Sequence, residues 1–171
     1  MTKITSVRLI DFNDEMTIAK EIDDFVQQYA YAEVEYALEL SPTGKAYSLT
    51  GTKINVNSEI IGKDVLKGSI SIHNHPVEIG KSKSDSFSLD DLLFATRNST
   101  GKQYLVSGER KNAFEFTKIH DEITIYNSWK GAYMELLEQA ITGKIDIINE
   151  QEQILQILDK RLEGFKFYEN F

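Results

Sequence analysis

Gly68-Ser69-Ile70-Ser71-Ile72-His73-Asn74-His75-Pro76 is the stretch on which the reading of this chain turns. Residues two apart on a strand point to the same face, so Ile70 and Ile72 share one side and Ser71, His73 and His75 the other. Pro76 has no N–H to give a sheet ladder and ends the strand. Two of the chain's three histidines therefore look into one space at a strand end. Imidazole is the commonest side-chain metal ligand and the usual acid–base group near neutral pH.

Upstream, the pattern alternates between sheet and helix. A first strand is expected over Ile4 to Phe12, and Asn13 or Asp14 then offers a helix cap. Ile18, Ile22, Phe25, Val26 and Tyr29 recur at helical spacing, which predicts an amphipathic helix of about four to five turns. Val34, Tyr36, Leu38 and Leu40 alternate with Glu33, Glu35, Ala37 and Glu39 and read as a strand. Ser41-Pro42-Thr43-Gly44 supplies a tight turn. A returning strand follows over Lys45 to Leu49, with a further short one over Ile54 to Val56.

Downstream, residues 77–87 are small and polar and read as a loop. Ser88 then opens a helix through Leu92, Leu93 and Thr96 that ends near Asn98 to Gly101. Strands are expected over Tyr104 to Ser107, Ala113 to Ile119 and Ile123 to Tyr126, with His120 on a surface turn between the last two. From Ser128 onward the pattern is helical. Trp129, Tyr133, Leu136, Leu137 and Ala140 form one stripe, and Ile154, Leu155, Leu158 and Leu162 another, with Gly143 as the break. The expected fold is a mixed α/β (α+β) domain over residues 1–127, a central sheet flanked by helices. A helical extension over 128–171 packs on or beside it.

Composition narrows the chemistry. At 171 residues, 41% hydrophobic and 27% charged, the chain can bury a substantial core. A net charge of −8 without a lysine-arginine stripe argues against a nucleic-acid surface. The sequence shows neither a basic-then-apolar leader nor an apolar run of membrane-spanning length, so the expectation is a cytoplasmic protein with no membrane role. With no cysteine, a metal site must draw on His, Asp and Glu, and thiolate nucleophiles are excluded.

Two histidines are an incomplete set, because a catalytic zinc usually takes three protein ligands and keeps one position for water. Asp91 is the expected third, in the first turn of the helix after the loop, where the helix dipole also favours a carboxylate. Ser82-Lys83-Ser84-Asp85 is a rival register for Ser88 and Asp91. A general base is also needed, and Glu35, on a strand expected to neighbour the histidine strand, is the candidate. Glu33 and Glu39 share its face and stay open as alternatives.

His73-Asn74-His75-Pro76 followed by Phe87-Ser88-x-x-Asp91-Leu92, with a glutamate upstream, resembles the JAB/MPN (JAMM) metalloprotease signature, most closely its bacterial and phage branch. RadC-like proteins share the His-Asn-His-Pro spelling. The resemblance spans roughly Glu33 to Tyr126 and implies a cytidine-deaminase-like α/β fold. It also implies Zn2+ on His73, His75 and Asp91, Glu35 as general base, and Ser88 steadying the oxyanion. The implied reaction is hydrolysis of a peptide or isopeptide bond in a peptide or protein substrate. The alternative is an inactive module of the same type that binds a protein partner, for which the C-terminal helices are the candidate surface. Fifteen residues separate His75 from Asp91. That span is longer than the family's, at a closure cost that grows only logarithmically with length.

Overall fold

Strands that bury both faces form the middle of the sheet. β2 (Tyr36–Ser41), β4 (Ile70–Asn74) and β5 (Gln103–Ser107) are almost entirely buried, as expected of strands covered on two sides. The computed structural model, which describes residues 1–77 and 86–171, surrounds them with β1 (Lys3–Leu9), β3 (Lys45–Thr50), β6 (Arg110–Phe116) and β7 (Phe165–Glu169). The order across the sheet is β1-β3-β2-β4-β5-β6-β7. Only β4 and β5 run parallel; the other neighbours are antiparallel. A parallel pair needs a crossover, and α3 (Leu89–Asn98) provides it between β4 and β5.

Alternation assigns the two faces. Leu38, Leu40, Ile72 and Val106 point to one side, where α1 (Glu15–Tyr29) lays down Ile18, Ile22 and Phe25. Asp14 caps α1 by accepting from the amides of Met16 and Thr17, satisfying donors that the first helical turn leaves open. The opposite face carries α3, α4 (Glu122–Ile141) and α5 (Glu150–Arg161). There Phe87, Leu92, Leu105, Phe114, Leu136, Leu155 and Phe165 belong to one buried cluster. His73 lies on this second face, between Ala37 on β2 and Leu105 on β5.

The architecture agrees with the expected mixed sheet flanked by helices and departs from it in four places. Ile123 to Tyr126 is the first turn of α4, not a strand: Asp121 caps it through the Thr124 amide, and only Ile125 of that segment is buried. Ile54 to Val56 is an irregular connection in which the Thr52 amide bonds the Asn55 carbonyl at 2.8 Å and Ile54 is exposed. A short 3-10 turn over Ser58–Ile61, capped by Asn57, and α2 (Lys63–Leu66) follow without a periodic signal long enough to announce them. The C-terminal region is not wholly helical, because β7 pairs with β6 and buries Phe165. α4, α5 and β7 share their core with α3 and the sheet.

The loop expected over 77–87 falls largely outside the described residues, as do Ser82 and Asp85. Among the described residues no helix is long and apolar enough to cross a membrane.

Candidate metal centre

The chain re-enters the described structure through Ser86-Phe87-Ser88, and this return delivers Asp91. Ser86 is fully buried and accepts a hydrogen bond from Asn112 Nδ2 of β6 at 2.8 Å. Phe87 is fully buried, edge-on to the His73 ring at 5.9 Å and to Phe114 at 4.6 Å. Ser88 is the N-cap of α3 in a reciprocal capping box: the Asp91 amide donates to Ser88 Oγ at 3.4 Å, and the Ser88 amide donates to Asp91 Oδ2 at 2.7 Å. The Ser88 hydroxyl also donates to Asp91 Oδ2, at 2.7 Å. One carboxylate oxygen is thereby tied to the cap, and Oδ1 faces His73.

His73, His75 and Asp91 converge as the sequence predicts. His73 Nε2 lies 3.3 Å from His75 Nε2 and 3.3 Å from Asp91 Oδ1, and His75 Nε2 lies 4.0 Å from Asp91 Oδ2. Their ligating atoms all fall within 4.8 Å of one another, so the group could hold a metal ion. Burial alone would lift the Asp91 carboxyl, but the charges of His73 and His75 and the bonds from His73 and Ser88 hold it well below the ordinary carboxylate range. Burial works against the His73 imidazolium, and the carboxylates of Asp91, Glu35 and Glu39 reverse that and raise it. Such a cluster of carboxylate and imidazoles is an environment that stabilises a cation.

The glutamates separate by depth. Glu33 is exposed and takes no part in the cavity wall, whereas Glu35 and Glu39 both line it. Glu35 is half-buried; burial pushes its carboxyl up, the His73 charge pulls it down, Asp91 pushes it up again, and the Val56 amide N–H pulls it down. The connection after β3 makes that last contact possible, because it folds back tightly at Gly51, where a Cβ would collide with the Asn55 carbonyl and Val56. Glu39 is only 1% exposed, and Ser71 Oγ donates to its Oε1 at 2.8 Å. Burial drives the Glu39 carboxyl up to about 7, against the pull of the Ser58, Ser71 and Ser69 hydroxyls and of His73.

Asn74 is the functional residue that pattern alone does not single out. Its side chain points away from the histidine face and bridges two backbone groups of the neighbouring segment. Nδ2 donates to the Val34 carbonyl at 3.0 Å, and the Tyr36 amide donates to Oδ1 at 2.7 Å. The amide thus straddles Glu35 and locks it beside the histidine strand. No family model, curated protein or solved structure matches the chain. The likeness to the JAB/MPN signature therefore rests on the identity and order of His73, His75, Ser88 and Asp91.

His120, expected on the surface, is half-buried at the edge of the helical layer, bonded to the Glu163 carbonyl at 2.9 Å and away from the cluster.

Replacing Asn74 by Ala strands the Tyr36 N–H and the Val34 carbonyl, and urea unfolding is expected to show a loss of about 2–3 kcal/mol. Glu39 gives a pH signature in metal-free protein. Its folded-state value of about 7 stands above the ordinary 4.5, so its contribution to stability is complete below the lower value and lost as pH rises through the higher. Relative to Glu39→Gln, the wild type is expected to lose about 3 kcal/mol between the two limits, measured by urea unfolding across that range.

Proposed function

We propose that this protein is a zinc-dependent hydrolase of peptide or isopeptide bonds, of the JAB/MPN type. The observation that carries the reading is the convergence of two imidazoles and a carboxylate in a cavity that a second carboxylate, Glu35, also lines. The donor set suits zinc, which takes nitrogen and oxygen ligands at about 2 Å in a tetrahedron whose edge is then about 3.3 Å. Two of the three separations are 3.3 Å. His73, His75 and Asp91 would hold the ion and leave one position to solvent.

When bound, zinc supplies Lewis acidity, polarising a carbonyl and bringing the pKa of water from about 15.7 toward about 7. The chain's own groups do the rest. Glu35, on the wall beside the ligands and raised by burial, is placed to take a proton from the attacking water and return it to the departing amine. Net, the C–N bond breaks, the water oxygen joins the carbonyl carbon, and the amine leaves protonated. Elevated basicity suits such a shuttle. Ser88 Oγ lines the same cavity; turned from Asp91 toward the carbonyl, it is the side-chain donor for the oxyanion.

Protein purified without chelator or histidine tag is expected to carry close to one zinc per chain by elemental analysis, and His75→Ala or Asp91→Ala to lose it. Wild-type protein that takes up no zinc overturns the reading. In the same preparations, Glu35→Gln is expected to keep the metal and lose roughly 100- to 10,000-fold in hydrolysis of peptide or isopeptide substrates. Zinc binding without Glu35-dependent turnover would identify a binding module in place of an enzyme.

A further inference from the structure

α4 is apolar on two opposite sides. Ile125, Ala132 and Leu136 face the core. On the far side Ile123, Met134 and Ile141 are 74%, 56% and 85% exposed. Exposed apolar side chains scattered singly are normal, but these three are not scattered. At 3.6 residues per turn they fall within about 20° of one line along the helix. A surface helix ordinarily turns a polar face to water, and one that is apolar all round is a covered one. Among the described residues nothing covers this line.

The surroundings of the line suit a second helix. Gly131 sits beside it in the helix interior, where glycine weakens a helix. A Cβ there would meet open space, so the described chain does not itself call for the gap. The gap lets another helix lie closer, because side chains at the contact set the distance between packed axes. A groove of about 690 Å³ runs there, lined by Gly131, Met134, Glu138 and Ile141. Lys130 and Glu138 stand one turn before and one turn after Met134. Both are exposed, and neither makes an ion pair among the described residues.

The pattern is complementary to itself. Ile123 and Ile141 are about five full turns apart and so share one azimuth. A second α4 laid antiparallel about the level of Ala132 sets Ile123 against Ile141 of the other copy at both ends. Lys130 then meets the other copy's Met134, with Glu138 of that copy one turn along, and the reverse holds by symmetry. Laid parallel, the same face would oppose Lys130 to Lys130 and Glu138 to Glu138, which like-charge repulsion disfavours. We propose that this face of α4 docks antiparallel on the same face of a second copy of the chain, with Lys130 of each copy paired to Glu138 of the other. Such an isologous contact closes on itself as a two-fold dimer. It goes beyond the hydrolase reading and needs no metal.

Sedimentation velocity of the full chain, with and without zinc, is the test. The mass is expected to rise from 19.5 kDa toward twice that value as protein is raised to about 100 µM. Met134→Glu and Ile141→Glu, at exposed positions, should stay monomeric. Lys130→Glu and Glu138→Lys should each weaken dimerisation by about tenfold, since each sets like charges together twice. An equimolar mixture of those two variants restores opposite charges at both points and should dimerise as the wild type does. Wild-type protein that stays monomeric overturns the proposal and leaves the face to a different chain. A dimer that survives Met134→Glu, or two charge variants that do not rescue each other, overturns it as well.

Discussion

Burial of the Phe87 ring is the contact on which the site hangs. His73 and His75 are placed by β4, but Asp91 belongs to a different element, and the chain between them must come back to the same spot. Phe87 brings it back by inserting between the His73 ring and Phe114, with no exposed surface. A fully buried aromatic of this kind is worth on the order of 2–3 kcal/mol in removal from water. Ser86 adds a buried hydrogen bond to β6, and Ser88 caps the helix that begins there. Three consecutive residues thus fix the chain where it enters α3, and the position of Asp91 follows.

The same logic shows why part of the site could be read in advance. Period-two alternation in Ile70-Ser71-Ile72-His73 determines which side chains share a face, and the short reach of Ser88 to Asp91 is a local helix-start signal. Both are near-neighbour properties, so no tertiary information was needed. The choice among Glu33, Glu35 and Glu39 was of another kind. Alternation puts the three on one face, yet Glu33 ends up in water, Glu35 half-buried on the cavity wall and Glu39 buried on the same wall. Their depth depends on the Ser58 turn and on the fold-back at Gly51, distant segments without a periodic signature.

Misread elements have the same origin. Ile123-Thr124-Ile125 has the β-branched look of a strand, but a capped start at Asp121 and the buried stripe through Ile125, Ala132 and Leu136 make it helix; tertiary packing outweighs local preference. β7 was hidden because Phe165-Lys166-Phe167 follows closely on a helix, and only its partner β6 makes it a strand. Asn74 belongs here too. Its residue type was visible between the histidines, but its use required knowing that β2 lies alongside β4.

The bridge made by Asn74 has a consequence for the proposed metal site. Two hydrogen bonds between the fully buried Asn74 side chain and the backbone of Val34 and Tyr36 hold the Glu35 segment to the histidine strand, and the capping box holds Asp91. In small metal-nucleated domains the ion performs the ordering, and its removal unfolds the chain. In this protein the hydrogen bonds that position the three candidate ligands come from the chain itself. Were a metal to bind as proposed, it would meet ligand atoms already within 4.8 Å of one another, and its binding energy would go into affinity and selectivity more than into ordering the chain.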